Sequence, residues 1–270
     1  MRRGTTSGLL ALALVTSGLA AGCGGGSGSG GKGGALAAVL RSSAGSTAAT
    51  GSSKVVLTSS TQAQGQTVTF EGDGAFDYTT KQGLLDLHVG GLGSGAGSAT
   101  IAERITGGFL YLKLPNSPNR FYKLKVTDLA GTSLAAGSDP TSSLSALVGA
   151  SDDVTKVGQE VLRGTTTTHY QGTIDVQKAL GALTGTRKDL VQKGLVANGV
   201  KRLPFDAYVD DQGRVRKYVQ RVHLTLKGAP ADSTTTIELY DFGTKVEVAV
   251  PPPSQVKDGT ALLGALKRKG

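Results

Sequence analysis

The chain has 270 residues, with 29 Lys and Arg against 20 Asp and Glu, 41 Gly, no Trp, one Met and one Cys. A single thiol excludes an internal disulfide, and no two of the three histidines sit at metal-ligand spacing, so neither a disulfide framework nor a structural zinc site is available. The net charge of +9 gathers at the ends: Arg2, Arg3 and Lys32 in front and four basic residues against Asp258 in the tail leave 22 basic against 19 acidic residues over 35–256, a balanced surface that argues against a nucleic-acid partner.

The first elements concern export. Arg2 and Arg3 form a short basic region, and residues 9–15 (LLALALV) are apolar over about the length of a signal-peptide core, too short for a membrane span. Small residues then lead through Ala20, Ala21 and Gly22 to Cys23. A small-residue cleavage site directly before cysteine resembles the bacterial lipobox, in which that cysteine is diacylated and becomes the new N-terminus. The motif usually has Leu three residues before the cysteine, where this chain has Ala20, with Leu19 one place further back. Ordinary secretion with Cys23 as a spare thiol is the alternative. The reading is a lipoprotein signal peptide over 1–22 and a Gly/Ser tether over 23–34, whose composition is that of a flexible coil. Gly26 to Lys32 (GSGSGGK) opens like a phosphate-binding loop, but Gly33 stands where Ser or Thr is needed and no strand precedes it.

From residue 35 the chain reads as one domain to 256. ALAAVLRSSAGSTAAT predicts a first helix over 35–50. Period-two alternation starts at Lys54: Val55 and Leu57 share a face, as do Val68, Phe70, Phe76 and Tyr78, and then Leu85, Leu87 and Val89. Gly72 and Gly74 inside the second run imply a bend or a close approach. Strands over 99–105, 108–114 (with Leu110 and Leu112) and 121–126 follow, the last after a PNSPN turn. Asp139-Pro140 predicts a capped helix carrying Leu144, Leu147 and Val148. TTTTHY over 165–170 predicts a strand, and Asp175 opens a helix with Val176, Leu180 and Leu183, extending toward Leu195. FDAYVDDQGRVRKYVQRVHLTL predicts a hairpin turning at 210–213, with Tyr218, Val222, Leu224 and Leu226 on one face. A closing pair is expected at 235–240 and 245–250, ended by Pro251, Pro252 and Pro253, with a basic tail over 257–270. Strands, then helices, then strands give an α+β domain of roughly nine to eleven antiparallel strands.

Nothing in this pattern announces chemistry. His88, His169 and His223 lie in separate predicted strands, no G-x-S-x-G or H-E-x-x-H is present, and Asp152-Asp153 and Asp210-Asp211 sit in turns without a calcium-loop ladder. The chain reads as a binding protein rather than an enzyme, with no cofactor and no metal. A large bent sheet cannot leave an apolar concave face in water, so helices or a ligand must cover it. Alternating positions propose that face: Val55, Leu57, Val68, Phe70, Leu85, Leu87, Leu110, Leu112, Leu224 and Leu239, each equally compatible with ordinary core. Arg187, Lys188, Lys193, Lys201, Arg202, Arg214, Arg216, Lys217 and Arg221 crowd the second half, either to meet anionic headgroups or as a solvated, paired surface.

The order of elements, together with LPFDAYVDDQGRVRKYVQRVHL, TTIELYDFGTKVEVAVPPP and TTTTHYQGTIDV before a helix, resembles the LppX/LprAFG family of actinobacterial lipoproteins over roughly residues 35–256. The resemblance implies a LolA-like fold: a strongly curved antiparallel half-barrel with a few helices covering its concave face. It implies a lipid or glycolipid ligand in a hydrophobic cavity, membrane attachment through a diacylglyceryl Cys23, a place on the extracytoplasmic face of the cell membrane, and no catalytic residues. The competing expectation is a surface lipoprotein with a filled core that binds an envelope protein partner as a sensor or scaffold.

Overall fold

The computed structural model of the chain describes residues 30–91, 99–117, 119–129, 144–182, 188, 191–192, 195–226 and 229–269. The period-two runs form β1 (Ser52–Ala63), β2 (Gln66–Asp77), β3 (Gln82–Gly90), β4 (Ala99–Thr106), β5 (Phe109–Lys113), β6 (Phe121–Lys125), β7 (Thr155–Leu162), β8 (Thr165–Asp175), β9 (Arg202–Asp210), β10 (Val215–Leu226), β11 (Ala229–Tyr240) and β12 (Val256–Asp258). All belong to one curved, unclosed sheet in the order β12-β6-β5-β4-β3-β2-β1-β11-β10-β9-β8-β7. Every pairing is antiparallel except β12 on β6.

The curvature has a local cause at the two glycines in β2. A Cβ at Gly72 would lie 2.5 Å from the Asp86 carbonyl oxygen, and one at Gly74 only 2.0 Å from that of Leu84. The backbone of β3 leans over β2 at a distance that no other residue allows.

Helix α1 (Gly30–Ala48) lies over the sheet, with Ala37, Leu40, Ser43 and Thr47 as its buried stripe. Thr47 ties it down: its hydroxyl donates to the Ser43 carbonyl (2.7 Å) and accepts from the amide of Val215 at the start of β10 (2.9 Å). The helix starts at Gly30, earlier than the 35–50 expected, so the last residues of the Gly/Ser stretch join its first turn. There a Cβ on Gly33 would fall 1.9 Å from the Asp152 carbonyl, so this end of the stretch packs closely against the chain before β7. Helix α2 (Val176–Ala182) starts as the sequence proposes, because Asp175 Oδ1 accepts from the amides of Gln177 (2.9 Å) and Lys178 (3.0 Å).

Several expectations need correction. The expected 139–148 helix lies largely outside the described residues; its described part is a 3-10 turn, Ser145–Gly149, with Leu144 and Leu147 buried but Val148 exposed. Toward Leu195 the described residues 188 and 191–192 are helical, as expected, and a 3-10 turn, Val196–Asn198, follows. Strand β7 was not expected, since its side chains are nearly all exposed and offer no apolar face to read. Residues 245–250 form no strand. Strand β11 is already paired with β1 on one side and β10 on the other, so no edge is left for the expected hairpin partner. The chain instead passes Pro251–Pro253 and re-enters the sheet as β12 beside β6. The basic segment then forms helix α3 (Thr260–Lys269), whose Leu262 and Leu263 pack onto the domain.

Two apolar clusters result. The larger joins α1, the 144–150 segment and α2 to the sheet around Val55, Leu85, Phe205, Tyr218 and Leu239. The smaller holds Phe76, Tyr78, Ile105, Leu110, Leu112, Leu124, Leu129 and Leu263. Ile101 packs against both.

Candidate functional site

Antiparallel partners point their side chains to the same face, so register alone tests whether the ten proposed positions belong together. They do. Val55 faces Leu239 and Gly74, Gly74 faces Leu85, and Leu57 faces Gly72, which faces Leu87. Phe70 lies opposite Val89, Val68 opposite Thr61, and Leu224 opposite Ala231, all in the same phase. Leu110 and Leu112 continue it through Ile105 and Glu103. This is the face on which α1, the 144–150 segment and α2 pack, as the larger cluster shows.

The ten separate by burial. Val55, Leu85, Leu87 and Leu239 are buried in the larger cluster, and Leu110 and Leu112 in the smaller. Leu57, Val68, Phe70 and Leu224 are only half-buried, and the last three lie outside both clusters. These four, with half-buried Val222, lie toward the end of the sheet marked by the β1–β2 and β10–β11 connections. Among the described residues, the helices pack at one end of the face; at the other, half-buried Val68, Phe70, Val222 and Leu224 lie on either side of the paired hydroxyls of Ser59, Thr61, Ser233 and Thr235.

One residue on this face went unforeseen. Glu103 stands between Ile101 and Ile105 on β4, opposite Leu85 on β3 and Leu112 on β5, and is 5% exposed. Among the described residues no hydrogen bond or ion pair reaches its carboxyl group; Arg104 donates to the Glu103 main-chain carbonyl (2.8 Å) and bridges Asp86 on the opposite face (2.7 Å). Burial pushes its pKa up from 4.5 to about 7. The signal was available: in ATIAERIT the acid falls in the apolar phase of the alternation.

The opposite, convex face is ionic. Lys54 bridges Asp241 (2.7 Å), Arg163 bridges Glu238 (3.2 Å) while its guanidinium lies 4.0 Å from the Tyr240 ring, and Lys217 lies over Tyr208. His169 Nε2 contacts Asp206 (2.7 Å), whose other oxygen accepts from Arg221, and the imidazole stacks on Tyr208. His169 Nδ1 is 3.3 Å from Glu160 but outside hydrogen-bonding geometry. His223 pairs with Asp232 in the open, and His88 contacts Thr100. Of the basic residues in the second half, Arg202, Arg214, Arg216 and Arg221 are all paired with Asp, which fits a paired surface; Arg187 and Lys193 lie outside the described residues. No group of three or more His, Cys, Asp and Glu that could hold a metal occurs among the described residues. No helix among them is long and apolar enough to cross a membrane. Cys23 lies outside them.

No protein-family model matches the chain. An uncharacterized 31.2 kDa protein of Streptomyces griseus, from the rplA-rplJ intergenic region, is 33% identical over 133 residues, which is 47% of this chain and 41% of that protein. The match thus spans about two fifths of the relative's length. Among solved structures, the lipoprotein LppX of Mycobacterium tuberculosis aligns with 80% of this chain and 98% of its own at 15% identity and a TM-score of 0.49. LprF of Mycobacterium bovis aligns with 80% and 97% at 15% identity and a TM-score of 0.46. A putative outer membrane lipoprotein-sorting protein domain from Vibrio parahaemolyticus gives 9% identity and a TM-score of 0.30.

Proposed function

We propose that this chain is an extracytoplasmic lipoprotein of the LppX/LprAFG type that binds an acylated lipid or glycolipid on the concave face of its sheet and carries it, tethered to the cell membrane through diacylated Cys23. The observation that carries the reading is a mixed strip on the concave phase in which half-buried Val68, Phe70 and Leu224 lie outside both core clusters, with Ser59, Thr61, Ser233 and Thr235 between them. Each buried methylene gains about 0.8 kcal/mol, so ten methylenes laid on this strip supply about 8 kcal/mol before the cost of association. Two acyl chains on Cys23 give the lasting attachment that one cannot.

A second reading, a filled protein-binding scaffold, draws on the other end of the same face, where Leu40, Leu144, Leu147 and Leu180 plug the sheet. Native mass spectrometry of the protein purified without detergent, followed by solvent extraction, separates the two. A stoichiometric co-purifying lipid is expected. A clean apo mass with no uptake of offered phospholipid or glycolipid would remove the carrier reading and leave the scaffold.

A further inference from the structure

Cations on the convex face are mostly spent on neighbouring acids: Arg104, Arg163, Arg214, Arg216 and Arg221 each reach a carboxylate within 3.2 Å. The corner formed by β5, β6 and β12 breaks that pattern. In the convex phase each of the three cross-strand pairs of β5 with β6 joins a lysine to an aromatic residue: Lys113 with Phe121, Tyr111 with Lys123, and Phe109 with Lys125. The Lys123 ammonium lies 3.9 Å from the centre of the Phe109 ring and that of Lys113 5.7 Å from the Phe121 ring, distances at which a ring face attracts a cation. A ring carries no net charge to neutralise the ammonium group. It orients the cation and leaves its charge to act outward. Among the described residues no carboxylate pairs with Lys113, Lys123, Lys125 or Lys257. The two acids nearby are otherwise engaged: Asp258 caps α3 by accepting from the Thr260 amide (2.6 Å), and Asp128 accepts from the Thr127 hydroxyl (3.3 Å). Lys125 and Lys257 are exposed, and Phe109, Lys113, Phe121 and Lys123 are half-buried. A groove of about 510 Å³ opens between β6 and the start of α3, with Phe109, Lys123, Lys125 and Lys257 on its walls.

We propose that this corner docks the domain on an anionic bilayer surface, its lysines meeting lipid phosphates while Phe109 and Phe121 lie at headgroup depth. This rests on the reading of a membrane-tethered protein and adds which face turns to the membrane. The lipids contacted are those of the bilayer, not a cargo of the concave face, which β5 and β6 present on their other side. The interleaving selects the occupant. Cations alone would suit any polyanion, and apolar groups alone any apolar surface; the two alternating on one face suit the headgroup region, where charge and apolar contact lie within one side-chain length. Near an anionic membrane each lysine contributes about fivefold in affinity, and the attraction fades beyond a Debye length of about 10 Å at 0.1 M salt.

The test is co-sedimentation of the full chain carrying Cys23→Ser, which cannot be acylated, with vesicles of phosphatidylcholine and of an equimolar phosphatidylcholine–phosphatidylglycerol mixture. All variants share the same leader and tail, so the readout is the change between variants on the mixed vesicles. The triple variant Lys113→Gln, Lys123→Gln, Lys125→Gln should lose about a hundredfold in affinity there. A control triple, Lys156→Gln, Lys178→Gln, Lys188→Gln, removes the same charge from exposed positions elsewhere and should lose less than about fivefold. Raising salt from about 0.1 M to about 1 M should erase the difference between the two. Thermal melts verify that both triples fold. Binding that ignores phosphatidylglycerol, or equal losses in the two triples, overturns the docking surface. A chain that leaves the vesicles alone but binds heparin through the same three lysines overturns the bilayer as occupant in favour of a soluble polyanion. Failure of the tethered reading is a separate result, a mature chain with no acyl mass on Cys23.

Discussion

Replacing Asp210 with Ala should be among the most damaging single changes on the convex side of the domain. Its carboxylate ends β9 with no exposed surface and holds the turn into β10. One oxygen accepts from the amides of Gln212 (3.1 Å) and Arg214 (2.9 Å); the other accepts from the Arg214 guanidinium (2.8 Å) and from Arg216 Nε (2.7 Å). Those two guanidinium groups, 18% and 15% exposed, lie 4.8 and 4.7 Å from the Phe242 ring, so one carboxylate organises a clasp between the β9–β10 turn and the chain after β11. Removing the anion leaves two largely buried cations unpaired, a loss of about 3–5 kcal/mol, or about 6–20 °C in Tm for a domain of this size. The pH dependence has a definite sign. Burial alone raises the carboxyl's pKa, but the hydrogen bonds from Arg214 and Arg216 outweigh it and hold the value below 3.8. The folded state therefore binds the proton less well than the unfolded one. The contribution is complete above the ordinary carboxylate value and disappears as pH falls through the folded one. Thermal melts of Asp210→Ala and wild type at pH 7 and pH 3 check this: the gap should be full at pH 7 and shrink at pH 3. A variant that melts within about 1 kcal/mol of wild type at pH 7, or an equal gap at both pH values, would refute the reasoning.

Two further changes probe the sheet itself. Gly74→Ala places a methyl group 2.0 Å from the Leu84 carbonyl, where only backbone can yield, and should cost about 1–3 kcal/mol or more in urea denaturation; Gly45→Ala in α1, with nothing within 4 Å of the new Cβ, should gain about 0.5–1 kcal/mol in the same assay. For Glu103 the linkage runs opposite to that of Asp210. The folded state keeps a proton that the unfolded one releases near pH 4.5, so ligand-free stability falls as pH rises from there to about 7, by up to about 3 kcal/mol. Glu103→Gln should flatten that slope.

The sheet was legible where a strand buries one face. Residues 66–77, 82–90 and 215–226 alternate in this way, and their pairing followed from short turns such as Asp210–Gly213. Legibility failed where the decisive information is non-local. Strand β7 has no buried face, and its pairing with β8 rests on the backbone ladder and polar contacts such as that of the Thr167 hydroxyl with the Glu160 carbonyl (2.8 Å), not on apolar side chains. Residues 245–250 alternate well enough to suggest a strand, but only the tertiary arrangement reveals that both edges of β11 are taken. The concave face followed from phase, since all ten nominated residues share it, whereas which of them are plugged by helices depends on where α1 and α2 come to rest. Glu103 was visible in the alternation, yet its meaning emerged only once Leu85 and Leu112 were placed on either side.

The strand order also dictates a timetable. Strands β1 to β6 are a meander of sequence neighbours, β7 to β11 are another, and one long zipper, from Lys54 with Tyr240 to Ala63 with Ala231, sews the two together. The smaller cluster, built on the first meander, then waits for Leu263 near the C-terminus. For a polypeptide that emerges N-terminus first, neither core can be sealed until nearly every residue is available, and the rate is set by closing that distant seam rather than by forming any hairpin. The apolar side of the first meander therefore stays uncovered until β11 and the C-terminal segment are in place.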